Sequence, residues 1–279
     1  MGHGVYTDEA YRRITVTKGY HGKSRSQIFE SRDLDPAMDP SQVDFRESRD
    51  SVDHPNSVPI VVALDVTGSM GFVPELIVKE TLPKLVGAII SAGIPDPQIL
   101  FLGIGDHVYD SAPLQVGQFE SSAELLDRWL TKVYLEGGGG GNNCESYSLA
   151  YLFAARHTRT DHWEKRNKKG FVFTIGDEPC AKEIPGEIIS RLTTGKNKPS
   201  VSTGELIKEA SERYHVFHLH LEHDAISKTE GRKQGWRELL GENLIILQDH
   251  TLVASTIASL VINNVSSGET ETQHVEDML

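Results

Sequence analysis

Two stretches of this chain, SVPIVVALDV at 57–66 and GFVFTIGDEP at 170–179, run through almost unbroken apolar residues and then stop on an aspartate. A run apolar at nearly every position has no solvent face, so it reads as a strand covered on both sides, as in a parallel sheet. Parallel strands need crossover segments between them, and the chain supplies candidates. PELIVKETLPKLVGAIISAG at 74–93 has helical spacing through Leu76, Ile77, Leu85 and Ile89, with Pro83 expected to kink it and Gly93 to end it. SSAELLDRWLTKVYLE opens with a capping-box pattern, Ser121 to Glu124, and VSTGELIKEASERY repeats it from Ser202 to Glu205.

Further strands are expected in QILFLGIGDHVYD, YHVFHLHLE and GENLIILQD, with PLQVGQF as a short one, and further helices in SYSLAYLFAARHT and TLVASTIASLVINNV. Strands alternating with helices over 58–265 predict an α/β domain around a mostly parallel sheet with helices on both faces. The first 57 residues are polar and keep no helix or strand period, which predicts an extended arm that either wraps the domain or is partly disordered. The acidic tail 266–279 is expected to be disordered.

The formal net charge of −12 argues against a sequence-independent nucleic-acid surface, which needs clustered Lys and Arg. No run is long enough to span a bilayer, and MGHGVYTDEAYRR lacks the apolar segment of a secretory signal. Two cysteines are too few for a disulfide framework, so a cytoplasmic or virion-internal setting is expected, with no membrane and no nucleic acid as partner.

Ligands of open parallel sheets bind at the carboxyl ends of the strands. Three polar loops follow such ends or precede a helix: DVTGSMG, GGGGGNNCES and IGDEPC. If neighbouring strands carry the first and third, Asp65 and Asp177 meet at one rim. Carboxylates with hydroxyls and no nearby histidine favour a hard cation.

The pattern Asp65-Val66-Thr67-Gly68-Ser69 resembles the D-x-S-x-S signature that opens the metal-ion-dependent adhesion site (MIDAS) of von Willebrand factor A (vWA) domains. FTIGDEP is similar to the later strand and loop that bring the family's second acid, here Asp177. The resemblance covers roughly 58–265 and implies a Rossmann-like vWA fold. It implies that Thr67 and Ser69 ligate the ion through their hydroxyls, while Asp65 and Asp177 act mainly through bound waters. The middle loop departs from the family's usual threonine and is similar to a GGGGDxPE variant. Counting back from the following helix favours Asn143 as its ligand, then Asn142, with Glu145 also at the metal or the rim. The ion implied is Mg²⁺, or Ca²⁺ or Mn²⁺, with a position open to a partner protein's carboxylate. Family analogy adds an AAA+ ATPase or a larger complex as partner.

That reading is a binding module without catalysis. A metal-independent assembly scaffold on the same fold is a second reading. A Mg²⁺ phosphohydrolase with Asp65 as nucleophile is a third, and it meets Thr67 where a second aspartate is wanted. The glycine run lacks the Lys-Ser/Thr of a P-loop. His218 and His220 share a strand face, but without further ligands at zinc spacing they read as core or partner-facing residues. Cys144 and Cys180 each fall in a rim loop and read as reduced small residues, with redox coupling as the alternative.

Overall fold

The computed structural model describes residues 6–76, 82–94, 96–137, 141–193 and 197–276. Its strands are β1 (Arg46–Ser48), β2 (Val58–Asp65), β3 (Pro97–Ile104), β4 (Leu114–Val116), β5 (Thr158–Thr160), β6 (Gly170–Gly176), β7 (Glu183–Ile184), β8 (Val201–Ser202), β9 (Tyr214–Leu221) and β10 (Leu244–Leu247). Six of them form the central sheet in the order β10-β9-β6-β2-β3-β4. All its neighbours are parallel except the edge pair β3–β4. The fold is Rossmann-like α/β, with helices on both faces of a mostly parallel sheet.

Every residue of β2 is buried, as the unbroken apolar run requires. Its side chains alternate between two cores: Ile60, Val62 and Leu64 enter one, Val61 and Ala63 the other. The first core is closed by the helices Leu82–Ser91, Ala123–Thr131 and Val253–Glu276. The second is closed by Ser148–Arg156, Gly186–Leu192, Thr203–Ser211 and Glu230–Leu240.

Several local expectations shift. The capping box at Ser202 and Glu205 forms. The earlier one does not, because the helix starts a residue later: Ser122 is the cap and accepts from Leu125 N, leaving Ser121 buried. Gly93 ends its helix in the left-handed region, at φ 91°. The stretch preceding the Leu82–Ser91 helix, including Ile77, lies outside the described residues.

Of the two expected courses, wrapping and disorder, the arm over its described length packs onto the domain, partly as helix rather than fully extended. It contains the helix Asp8–Lys18, and its sparse apolar residues Tyr20, Ile28, Phe29 and Met38 are buried in the first core. Its charges find specific partners as well. Asp50 pairs with Arg166, Arg49 with Asp161, and β1 pairs in parallel with β5. The 266–276 part of the acidic tail, expected to be disordered, continues the closing helix to Glu276. No proline interrupts that segment, and Glu and Gln are good helix formers.

Candidate cation site

The carboxyl ends of β2 and β6, which pair in parallel, bring the two strand-end acids together. Asp65 closes β2 and Asp177 follows β6 directly. Asp65 Oδ1 accepts from Thr67 N at 2.9 Å and from Thr67 Oγ1 at 2.6 Å. Thr67 Oγ1 lies 3.2 Å from Ser69 Oγ, which donates to Asp177 Oδ1 at 2.9 Å. A continuous line of oxygen contacts therefore runs Asp65–Thr67–Ser69–Asp177. Ser69 is exposed and the other three are buried, so the line opens to solvent at the serine.

Two residues that the sequence did not single out hold the far sides of these acids. Tyr147 donates its hydroxyl to Asp65 Oδ2 at 2.6 Å, and His223 Nε2 lies 3.0 Å from Asp177 Oδ2. Tyr147 reaches Asp65 because Gly176 has no side chain; a Cβ there would overlap the phenol oxygen. Burial pushes the Asp65 carboxyl up to about 7, helped by the neighbouring Asp177 charge and opposed by the bonds from Thr67 and Tyr147.

The middle loop departs from its expected arrangement. Asn143, favoured as its ligand, takes a left-handed backbone at φ 55° and is exposed. Asn142 turns to a neighbouring loop and donates to Asp106 Oδ2 at 2.7 Å. Glu145 is the loop residue that faces the acids: it is 6% exposed, and its Oε2 is buried without a hydrogen-bond partner. Its position follows from backbone pairing, since Glu145 N donates to Pro179 O and Ala181 N donates to Glu145 O. Those bonds hang the middle loop on the loop that carries Asp177. Burial pushes the Glu145 carboxyl up to about 9, with Asp65 the leading neighbouring charge, followed by Asp110, Asp106 and Asp177.

Asp106 and Asp110, in the loop after β3, were also missed. A signal for Asp106 was available, because LFLGIGD ends on an aspartate just as the two cited strands do. His223 stood at the end of HVFHLHLEH, where His218 and His220 drew the attention. Those two belong to the core: His218 stacks on Trp236 at 3.7 Å, and His220 Nε2 contacts Ser227 O at 2.8 Å. Tyr147 had no signal in the sequence.

The donor set is hard oxygen throughout: two carboxylates, two hydroxyls and a third buried carboxylate with an unsatisfied oxygen. Such a set fits Mg²⁺, Ca²⁺ or Mn²⁺. Among the described residues no three His, Cys, Asp or Glu side chains converge on one point.

No family profile matches the chain, and no curated protein matches it in sequence. Solved structures do resemble it in fold. The pilus adhesin SpaC from Lactobacillus rhamnosus GG, in its open conformation, aligns with a TM-score of 0.51 at 12% identity, over 78% of this chain and 31% of the adhesin. The chain thus spans about a third of that protein. A von Willebrand factor type A protein from Catenulispora acidiphila aligns at 0.41 and 12% identity, over 74% of this chain and 42% of its own. Proximal thread matrix protein 1 from the mussel byssus aligns at 0.46 and 10% identity, over 75% and 48%. At these identities the likeness is one of fold.

Proposed function

We propose that this chain is a protein-binding module that recruits its partner through a divalent cation held by Asp65, Thr67, Ser69 and Asp177, with Glu145 as the middle-loop acid. The observation that carries this reading is the unbroken line of oxygen contacts from Asp65 to Asp177 at the carboxyl edge of the sheet. Bound there, the cation supplies an electrophilic centre for an oxygen donor. The chain's own residues orient the ligands: Tyr147 fixes Asp65 and His223 fixes Asp177. The exposed Ser69 marks the open side, where a partner's carboxylate would arrive.

A protein partner suits the surface around the site. Phe72, Val108, Tyr109, Ile226 and Leu252 are exposed large apolar residues. All five lie in loops that follow β2, β3, β9 and β10, so they share one edge of the sheet with the acids. Tyr109 and Ile226 are each 58% exposed, which leaves apolar area for a partner to cover. This reading assigns no catalytic residue to the chain. Among the described residues no helix is long and apolar enough to cross a membrane.

Calorimetry and thermal melting with Mg²⁺, Ca²⁺ and Mn²⁺ test the reading. A cation at a hundred times its Kd is expected to stabilise the fold by about 2.7 kcal/mol. Asp65→Ala is expected to abolish that gain. The same gain in wild type and variant, or none in either, would count decisively against it.

A further inference from the structure

Between the arm and the domain lies a cavity of about 360 Å³, a size that takes a small molecule. The arm lines one side of it over 24–32, and the segment after the helix Ala123–Thr131 lines the other with Tyr134 and Leu135. Two arginines, Arg25 and Arg32, are in the lining, and among the described residues no carboxylate is. In a chain of net charge −12 this is a local reversal of sign.

Both walls are held in place by the chain itself. Arg25 opens a short helix, Arg25–Ile28, whose capping box joins Ser24 to Gln27. One guanidinium nitrogen of Arg25 donates to Gly71 O at 2.6 Å, which leaves its other donors for a ligand. Phe29 is 3% exposed and sits in the first core. On either side of Arg32 the arm is tied across: Ser31 Oγ donates to Lys132 O at 2.7 Å, and Asp35 pairs with Lys132 at 2.8 Å.

A neighbouring cavity of about 470 Å³ gives the contrast. Lys18 and Lys132 line it, but Asp127 and Asp35 already neutralise them. Arg25 and Arg32 have no carboxylate partner among the described residues. The acids whose charge reaches Tyr134 are engaged elsewhere or solvated. Glu136 accepts from Ser111 Oγ and Ala112 N, Asp110 accepts from Asp106 N, and Asp33 is exposed.

We propose that this cavity binds a small phosphate monoester, with its phosphate on Arg25 and Arg32 and its organic body against Phe29, Tyr134 and Leu135. A guanidinium is a planar fork of donors that matches phosphate oxygens, and the exposed Ser26 adds a hydroxyl. The two aromatic side chains favour an ester carrying a flat ring over bare inorganic phosphate. None of the residues assigned to the cation takes part, so the two readings stand apart.

Calorimetry on the full chain, in buffer of fixed ionic strength containing a chelator, tests this with adenosine monophosphate and phenyl phosphate. Inorganic phosphate and adenosine are the controls. One ester per chain is expected to bind, about tenfold or more tightly than inorganic phosphate, and adenosine not at all. The exposed Arg32 makes Arg32→Gln a mild change, expected to melt as wild type does and to bind the esters about tenfold or more weakly. Arg12→Gln, at an exposed arginine outside the lining, is expected to leave binding unchanged. Equal ester binding by wild type and Arg32→Gln, inorganic phosphate as tight as the esters, or no heat from either ester would each overturn the proposal. Because the chelator removes divalent cations, failure of the cation reading would leave these heats unaltered.

Discussion

The hydroxyl of Tyr147 donates to Asp65 Oδ2 at 2.6 Å, joining the start of a helix to the end of a strand 82 residues earlier. Thr67 occupies the other oxygen of that carboxylate. Asp65 therefore has both oxygens positioned by the chain before any cation arrives, and Tyr147, in the deepest position, is fully buried.

Tyr147→Phe removes that donor and leaves a buried carboxylate oxygen unpaired, at a cost of about 1–3 kcal/mol. The bond also favours the ionised form of Asp65, so its loss raises the affinity of Asp65 for a proton. Weaker Mg²⁺ binding at neutral pH, recovering as pH rises, is the expected calorimetric result. Gly176→Ala is expected to displace the same phenol and to lower the melting temperature.

Asp65 and Glu145 set the pH dependence of the cation-free protein. Both carboxyls titrate above their unfolded values, at about 7 and about 9. The folded state holds more protons than the unfolded state in that range, so stability falls as pH rises through these values. The buried histidines act oppositely but lower: His162, for example, is pushed down to about 4 by burial, so its effect lies below its unfolded value near 6.5. Between pH 7 and 9 the melting temperature without cation is expected to fall. Saturating Ca²⁺ should flatten the slope, and a slope unchanged in Glu145→Gln would remove this explanation.

Tyr20 and Lys18 share the buried Asp127, with the phenol donating at 2.6 Å to Oδ1 and the lysine paired to Oδ2. Tyr20→Phe leaves Oδ1 without its donor and is expected to cost about 1–3 kcal/mol in denaturant unfolding. Removing 1–57 altogether takes Ile28, Phe29 and Met38 out of the first core and uncovers apolar residues of the remaining domain that share it, and the shortened chain is expected to aggregate during size-exclusion chromatography.

Cys144 and Cys180 are both half-buried, and desolvation pushes both thiols up, that of Cys180 to about 12. Alkylation at pH 8 is expected to modify Cys144 faster than Cys180, whose thiolate is the scarcer of the two. Mass spectrometry of the two peptides reads this directly. A disulfide between the two in oxidised protein would restore the redox coupling.

The strands were legible because burial on both faces leaves an unmistakable pattern, as in VVALD. Asp65 and Asp177 were legible because each ends such a strand. The middle loop was harder to read. Counting back from the helix pointed to Asn143, but backbone pairing with Pro179 and Ala181 turns Glu145 inward instead. Such pairing depends on a loop 34 residues away in sequence (179 minus 145), and no local pattern encodes it. The arm stays open between wrapping and disorder in the sequence for a related reason: its few apolar residues have no period among themselves and acquire meaning only against the sheet that buries them.

That arm also carries a consequence for how the chain is made. Tyr20 lies 107 residues before Asp127, and Arg49 lies 112 before Asp161. At roughly 5–20 residues per second of synthesis, Tyr20 emerges about 5–20 s before its partner exists. The arm thus leaves the ribosome before the sheet it packs on, and its apolar residues must wait uncovered until that sheet is there to receive them.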